Sequence, residues 1–179
     1  MTEVGSVYGQ ALYDLAKEAA LTHVILQQLS ALNESFSQEP AFLRLLAAPS
    51  LTKEERCRIL DDSFRGKIEP YLLNFLKLLT EKGYARHFSH CFSAYEEQYN
   101  QDNGILPVTA VTAVALSEAQ AKRLSDKLAG ITGKTIALRN HVDPQCLGGI
   151  RLDYNGTRLD DTVAHRLESI RNMLKSTVL

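Results

Sequence analysis

The residues of this sequence best suited to binding a metal are His87 and His90, with Cys91 directly after the second histidine. Imidazole and thiolate groups are ligands that zinc prefers, and histidines three positions apart lie on one face of a helix. A zinc site needs three or four such ligands, and the sequence offers no second cluster of this kind. We therefore interpret them as two surface histidines beside a core cysteine, and we predict neither a metal nor another cofactor.

A glycine pair, Gly148-Gly149, raises the separate question of a phosphate-binding loop. Such a loop must lead into a helix, whereas this pair precedes a predicted strand and lacks the spacing of the nucleotide-binding motifs. The pair therefore indicates a bulge or a close backbone approach. Asp160-Asp161 are sequence neighbours before the last predicted helix, where carboxylates favour the positive end of the helix dipole. A small-ligand protein or enzyme that uses this region, with Arg151 close by, is the alternative hypothesis.

Composition argues against nucleic-acid binding, and the motifs indicate no catalytic residues. The 179 residues are 45% hydrophobic and 23% charged, with a formal net charge of −1, so nothing attracts the chain generally to polyanions. Tryptophan is absent and only 7% of the residues are aromatic, which leaves no platform for base stacking. No nucleophile-elbow motif accompanies the histidines. No set of residues therefore indicates an active site, an enzyme stays open as an alternative, and we predict no nucleic-acid partner.

The sequence also bears on the compartment. No apolar run approaches the ~18 residues that span a bilayer. The first residues lack the features of a signal peptide, and they are too acidic and too poor in arginine for a transit peptide. Cys57, Cys91 and Cys146 are widely spaced and odd in number, which is typical of reduced thiols. We expect the protein to stay where it is made, and we favour a bacterial source over an organelle.

Residues 1–103 show the apolar spacing of amphipathic helices throughout. Thr52 and Glu55 form a capping box for a fourth helix, and Pro70 opens a fifth that is apolar almost all round and therefore central. The other predicted helices are a first with a stripe of Val4, Val7, Tyr8, Ala11, Leu12, Leu15 and Ala19, a second over Leu21–Ser37, a third from Pro40 to Leu46 before Pro49, and a sixth over Tyr84–Gln101. We predict a six-helix bundle.

Residues 104–179 change to a strand-rich pattern, and the charge changes with it. Residues 1–103 carry 10 basic and 14 acidic side chains, whereas 104–179 carry 10 basic and 7 acidic, so we predict two domains with a boundary near residue 103. The first predicted elements are a strand over Ile105–Ala115 and a helix from the Ser117/Gln120 capping box to about Leu128, which Gly130 and Gly133 end. A strand over Thr135–Val142 and a hairpin follow. The last element is a helix lined by Val163, Leu167, Ile170 and Leu174. This order, β-α-β-β-β-α, makes the fold α+β overall.

The hairpin is predicted by Asn155-Gly156, the strongest short-range turn signal. A two-residue turn there fixes which residues lie opposite each other in the two strands. We expect a charged face with two ion pairs, and an apolar face that packs on a helix. The charged pairs are Asp153–Arg158 and Arg151–Asp160, and the apolar face consists of Leu152, Leu159 and Tyr154.

Several of these segments carry a family resemblance that covers essentially the whole chain. They are the helix that begins at Tyr8-Gly9-Gln10-Ala11-Leu12-Tyr13, the leucine-rich stretch Asn74–Gly83, the passage Val108–Gln120, Val142-Asp143-Pro144, and the most specific part, Leu147-Gly148-Gly149-Ile150 through Asp160-Asp161-Thr162 to Arg166-Leu167. In them the chain resembles the delta subunit family of bacterial F-type ATP synthases, which is related to the mitochondrial oligomycin-sensitivity-conferring protein. Gly9 departs from the usual alanine, and Asp161-Thr162 from Gly-Ser.

The resemblance implies a non-catalytic stator subunit, peripheral on the cytoplasmic face of a bacterial plasma membrane and attached to it only through the complex. The helical domain would cap the catalytic head and grip the N-terminal helix of the α subunit, while the C-terminal domain would engage the b subunits of the peripheral stalk. Proton flow would then be coupled to ATP synthesis. The implied cleft lies between the first and fifth helices, and for each apolar residue there core packing is the competing interpretation. Its candidate residues are Tyr8, Ala11, Leu12, Leu15, Asn74, Lys77, Leu78 and Glu81.

Overall fold

In the computed structural model, which describes residues 3–48, 51–154, 156–165 and 167, six α-helices make up the first part of the chain. The chain divides into two compact units, Met1–Tyr99 and Asn100–Leu179, which we call unit 1 and unit 2. The helices are α1 (Glu3–Glu18), α2 (Thr22–Gln38), α3 (Pro40–Leu46), α4 (Lys53–Phe64), α5 (Pro70–Glu81) and α6 (Phe88–Asp102). The predicted helices are confirmed, except that a 3-10 turn at Ala85–His87 precedes α6; Pro49 lies outside the described residues.

Local signals set the ends of these helices. At the start of α4 the Glu55 N–H donates to Thr52 Oγ1 at 3.2 Å, and the Thr52 N–H donates to a carboxylate oxygen of Glu55 at 2.8 Å. This is the predicted capping box, which satisfies two backbone donors that a helix start leaves unpaired. Pro70 occupies the first turn of α5, where its missing N–H costs nothing.

The buried face of α1 differs from the predicted stripe. Val7 and Leu15 belong to the predicted stripe, yet they are 61% and 50% exposed. The face that enters the core is rotated from it and includes Gly9, Leu12 and Ala16. Hydrophobic periodicity missed this rotation because a glycine contributes nothing to an apolar count, although it can be the residue that comes closest to a neighbour.

Gly9 explains how closely α1 lies against α6. A Cβ atom at this position would overlap the backbone carbonyl oxygen of Cys91, and it would lie 2.7 Å from the Cβ atom of Ala94. Only a residue without a side chain leaves the two backbones at this separation. The close packing of α1 on α6 therefore explains why this chain has a glycine at position 9, where the family motif has alanine.

The core of unit 1 forms around α5, as predicted. Leu72, Leu76 and Leu79 are buried, and the helix contributes buried residues on most of its circumference. Phe36 of α2 contacts three further rings. It stacks on Phe42 and meets Phe64 and Phe88 edge-on, with the Phe36 and Phe88 centroids 5.0 Å apart. Other core members are Tyr13, Ile25, Leu29, Leu32, Leu46, Leu60, Cys91 and Tyr95.

Unit 2 contains a four-stranded mixed sheet, which confirms the α+β fold class. Its strands are β1 (Ile105–Thr112), β2 (Thr135–Val142), β3 (Ile150–Tyr154) and β4 (Thr157–Asp160), in the order β2-β1-β3-β4. β1 runs parallel to β2 and antiparallel to β3, and β3 pairs with β4 as a hairpin. Helix α7 (Glu118–Thr132) connects the parallel pair, as a parallel connection requires.

Two predicted boundaries in unit 2 are wrong. β1 ends at Thr112 instead of Ala115, where the Thr112 hydroxyl donates to the Val114 carbonyl at 2.7 Å and bends the chain away. α7 continues through Gly130 to Thr132 and ends at Gly133, which adopts φ 67° and donates its N–H to the Ala129 carbonyl. A single exposed glycine costs a helix only about 1 kcal/mol and does not stop it, whereas a glycine in the left-handed conformation does.

Pro107 lies in β1, a central strand, where proline is normally excluded. The Thr135 N–H donates to the Gly104 carbonyl and the Asp143 N–H donates to the Thr112 carbonyl, so the even-numbered residues of β1 direct their backbone groups toward β2. The odd-numbered residues therefore face β3. Pairing with β3 stops at Thr109, so the missing N–H of Pro107 leaves no ladder bond unmade.

The hairpin register is confirmed, with Asp153 opposite Arg158 and Arg151 opposite Asp160. Arg158 Nε donates to Asp153 Oδ1 at 2.8 Å, as predicted. The predicted Arg151–Asp160 ion pair is wrong, because Arg151 Nε lies 3.3 Å from Asp153 Oδ2 on its own strand. Asp160 Oδ1 instead accepts from the backbone and the hydroxyl of Thr162.

The other face of the hairpin is only partly covered. Leu152 and Tyr154 are half-buried, whereas Leu159 on edge strand β4 is exposed. The chain then turns into helical backbone at 163–165 and 167, and Thr162 Oγ1 accepts from the His165 N–H as a cap. The predicted positions Asn155, Arg166, Ile170 and Leu174 lie outside the described residues.

Candidate functional site

An apolar groove lies between α1 and α5 in the described part of unit 1. Its volume is about 270 Å³. The residues that line it come from one face of each helix: Tyr8, Ala11, Leu12, Leu15, Tyr71, Asn74, Phe75 and Leu78. We call this the α1–α5 groove.

The groove has a buried floor and an exposed rim. Leu12 and Phe75 form the floor and belong to the core, so core packing is the right interpretation for Leu12. Leu15, Tyr71 and Leu78 form the rim, and each leaves 40% or more of its surface exposed. Large apolar side chains that are exposed at both edges of a concave surface are typical of a binding groove.

The spacing of the lining residues along α5 explains why they face the groove together. Tyr71, Asn74, Phe75 and Leu78 follow the i, i+3, i+4, i+7 spacing that places side chains on one face of a helix. On α1, the Tyr8 ring meets the Tyr84 ring edge-on with centroids 5.8 Å apart, which supports Tyr8 from behind. Tyr71 and Phe75 are not among the lining residues predicted from the sequence, although this spacing identifies them.

Lys77 and Glu81 do not line the groove. Lys77 Nζ lies 2.7 Å from Asp61 Oδ1 on α4, and this bond, together with Arg65, holds the pKa of Asp61 below its usual range. Glu81 Oε1 accepts from Cys57 Sγ, also on α4, at 3.6 Å. Burial and this carboxylate raise the pKa of the Cys57 thiol. Both side chains therefore join α5 to α4, one helix face away from the groove.

The histidine pair of the sequence analysis lies near the junction of the 3-10 turn and α6. The ring centroids of His87 and His90 are 6.1 Å apart, and Arg86 Nε donates to His87 Nε2. Cys91 is buried in the core, and burial raises its pKa to about 11. Among the described residues, no group of three or more histidine, cysteine or acidic side chains is placed to hold a metal ion.

Gly148-Gly149 mark a close backbone approach, one of the two predicted interpretations. Gly149 has φ 78°, and a Cβ atom there would overlap the backbone carbonyl of Asp161 and lie 3.0 Å from the Cα atom of Thr162. The Val163 N–H donates to the Gly148 carbonyl, which ties the same two segments together. Packing therefore excludes a side chain at Gly149, and it accounts for a glycine there without a ligand.

None of the helices in the described ranges is both long enough and apolar enough to cross a membrane.

The comparisons with known proteins agree with this arrangement. Residues 4–174 match the family model described as the ATP synthase delta (OSCP) subunit. The chain belongs to this family. It is 33% identical to the ATP synthase subunit delta of Lactobacillus delbrueckii subsp. bulgaricus, with 96% of each chain covered. The corresponding subunit of Lactobacillus gasseri is 32% identical, with 96% of this chain and 94% of that protein covered.

A solved structure shares the fold. One chain in the cryo-EM structure of the Toxoplasma gondii mitochondrial ATP synthase hexamer superposes with a TM-score of 0.78 at 18% identity, over 97% of this chain and 98% of that one. The family assignment makes the chain a non-catalytic subunit of the ATP synthase complex, as predicted.

Proposed function

We propose that this subunit connects the catalytic head of the F-type ATP synthase to the peripheral stalk, so that proton translocation is coupled to ATP synthesis. The observation that carries the proposal is the α1–α5 groove, an open apolar surface in a member of the delta family. A connector of this kind holds the head stationary while the rotor turns. It requires two binding surfaces and no chemistry.

In unit 1, the α1–α5 groove binds the N-terminal helix of the α subunit. An amphipathic helix places apolar side chains at i, i+3, i+4 and i+7 into such a groove. Covering the rim side chains of Leu15, Tyr71 and Leu78 contributes about 1–2 kcal/mol each by their apolar area. Asn74 and the two tyrosine hydroxyls, of Tyr8 and Tyr71, supply the polar groups that orient the helix.

In unit 2, the sheet domain binds the b subunits of the stalk. The charge difference between the two parts of the sequence supports separate partners, since residues 104–179 have three more basic than acidic side chains. The complex then holds the subunit on the cytoplasmic face of a bacterial plasma membrane.

The test of the head contact is Leu78→Glu in the full chain. Leu78 is 40% exposed, so the substitution leaves the fold intact while placing a carboxylate in the apolar contact. We expect at least about tenfold weaker binding to purified catalytic heads that lack this subunit, because about 1.4 kcal/mol corresponds to a factor of ten. Membranes reconstituted with this variant should hydrolyse ATP with reduced proton pumping.

Leu45→Glu is the matched control, because Leu45 lies on α3, is 44% exposed and does not line the groove. It should bind heads like the unsubstituted chain. Equal losses from the two variants, or heads that remain attached and coupled when the subunit is removed altogether, would overturn the proposal.

A further inference from the structure

The α1–α5 groove has an acidic margin on its α1 side. Ala11 lines the groove, and the row of α1 residues that contains it follows the i, i+4, i+7, i+11 spacing of one helix face: Val7, Ala11, Asp14 and Glu18. Asp14 and Glu18 are both exposed, and they lie about one helical turn apart. Two carboxylates therefore stand along the border of an apolar surface.

This row lies on the outer side of the groove. Around α1, the rim residue Leu15 stands between the row and Leu12, which forms the floor. Val7 is 61% exposed, so it extends the apolar rim beyond the lining residues, toward the start of the helix. A helix seated in the groove would therefore cover Val7 and Leu15 and bring one of its flanks against the two carboxylates.

The α5 side of the groove has a different chemistry. Its outward lining residue is Asn74, which is exposed and neutral. Lys77 is directed away to Asp61 on α4, with 2.7 Å between Nζ and Oδ1. Glu81 is directed to the same helix, where its carboxylate accepts from Cys57. The two flanks of a bound helix would thus meet carboxylates over α1 and an amide over α5.

The basic side chains of these two helices do not neutralise the acidic margin. Lys17, the one lysine of α1, holds its ammonium 5.9 Å from the centroid of the Tyr13 ring, and Tyr13 is buried on the core side of the helix. Lys82 follows α5 and precedes Tyr84, whose ring meets Tyr8. Tyr8 lies at the end of the groove that is farthest from the two carboxylates.

Covering the groove changes what the two carboxylates require. They are hydrated in the free chain, but a bound helix removes part of this water, and a desolvated charge is costly unless an opposite charge pairs with it. Glutamate or aspartate on the adjacent flank of the partner would add repulsion, whereas lysine or arginine would form an ion pair. The margin therefore discriminates between helices that have the same apolar face.

We propose that the helix bound in the α1–α5 groove carries lysine or arginine residues one turn apart along one flank of its apolar face, and that these pair with Asp14 and Glu18. Its other flank, over α5, is polar and neutral and faces Asn74. Because only one flank is basic, the carboxylates select both the partner and the direction in which it lies. This inference rests on the proposed function, since it concerns the partner of the same groove.

Two designed helical peptides are the probes, each titrated into the full chain by calorimetry. Both have leucines at i, i+3, i+4 and i+7, and they carry either lysines or glutamates at the same positions along one flank. We expect the lysine peptide to bind at least about fivefold more tightly, because it gains two exposed ion pairs and avoids two like-charge contacts. The difference should disappear at about 1 M NaCl, where the Debye length is only about 3 Å.

A double substitution, Asp14→Lys with Glu18→Lys, reverses the charge of the margin. Both positions are exposed and lie in the last two turns of α1, where basic side chains favour the helix dipole, so the fold should be retained. This variant should prefer the glutamate peptide. If it fails to fold, Asp14→Asn with Glu18→Gln removes the charges and should abolish the preference.

Glu34→Lys with Glu97→Lys is the matched control. It changes the net charge by the same amount at exposed positions of α2 and α6 that do not line the groove, and it should keep the preference for the lysine peptide. Purified catalytic heads that lack this subunit provide a second readout. The variant with lysines at positions 14 and 18 should bind them at least about fivefold more weakly, and the control should bind them like the unsubstituted chain.

Any of four results would overturn the inference. Equal affinity for the two peptides would mean that the groove does not recognise the flank. Loss of the preference in the control would assign it to the net charge of the chain. Self-association of the free chain that Leu78→Glu abolishes would assign the groove to a second copy. The fourth is unchanged head binding by the variant with lysines at positions 14 and 18, when Leu78→Glu weakens it.

The proposed function is decided separately. It fails if Leu78→Glu binds the heads like the unsubstituted chain, whichever peptide the groove prefers.

Discussion

Replacing Gly9 with alanine tests how tightly α1 is packed on α6. The added methyl group would overlap the carbonyl oxygen of Cys91 and approach the Cβ atom of Ala94 to 2.7 Å. Both obstacles are fixed, since one is the backbone of α6 and the other has no rotamer to change. The helix α1 must therefore move away from α6, which also disturbs the buried contacts of Leu12 and Ala16.

Two effects of opposite sign decide the magnitude. Alanine favours a helix by about 0.5–1 kcal/mol over glycine, because it restricts the unfolded chain. Overpacking a close contact costs about 1–3 kcal/mol. The second effect is larger, so we expect Gly9→Ala to lower the free energy of unfolding of unit 1 by about 1 kcal/mol.

Gly130→Ala is the control with the opposite sign. Gly130 also lies inside a helix, yet nothing lies within 4 Å of a Cβ atom built on it. The same substitution should therefore stabilise unit 2 by about 0.5–1 kcal/mol. Urea unfolding, followed by hydrogen exchange so that the two units are measured separately, gives both values. If Gly9→Ala proves as stable as the unsubstituted chain, α1 does not lie close enough to α6 for a methyl group at position 9 to overlap the Cys91 carbonyl.

Two further predictions concern unit 2. Leu152→Asp should destabilise it by about 1–3 kcal/mol, because Leu152 is half-buried on the apolar face and an unpaired charge there is poorly solvated. Asp153→Asn on the charged face should cost less stability. Thermal melts of the two variants compare the faces, and equal losses of stability would contradict the assignment of the faces. Acid should also weaken unit 2. The hydrogen bond from Arg158 lowers the pKa of Asp153, and the hydrogen bonds from Thr162 lower the pKa of Asp160. Both carboxylates therefore stabilise the fold above the ordinary carboxyl pKa of about 4, and this contribution is lost as the pH falls through their lower folded pKa values. Urea midpoints of the unsubstituted chain between pH 6 and pH 2 should fall in that window, and a double Asp153→Asn, Asp160→Asn variant should show a shallower fall.

Local signals predicted much of the fold. The Thr52/Glu55 and Ser117/Gln120 capping boxes both form, because a cap depends on residues three positions apart. The hairpin register follows from its turn for the same reason. Local spacing does not predict which side chain a residue contacts in the folded protein. Arg151 lies opposite Asp160 in the register, yet its guanidinium reaches Asp153 instead.

The groove shows the same limit. Most of its lining residues were named through the family resemblance, since an apolar stripe alone does not distinguish a floor such as Leu12 from a rim such as Leu15. Lys77 and Glu81 are implied by the same resemblance, but each contacts a partner on α4 and lies on another face of α5. Such assignments depend on tertiary contacts that no sequence window contains.

Pro107 has a consequence for how the sheet finds its alignment. A shift of β3 along β1 by one residue exchanges the two faces and is strongly disfavoured, but a shift by two residues preserves them. A two-residue shift toward the start of β1 would place Asp153 opposite Pro107, where the proline has no N–H to offer. The misaligned sheet would lose a ladder bond that the native one never requires. Pro107 thus disfavours a slip in this direction, which side-chain patterning alone would tolerate.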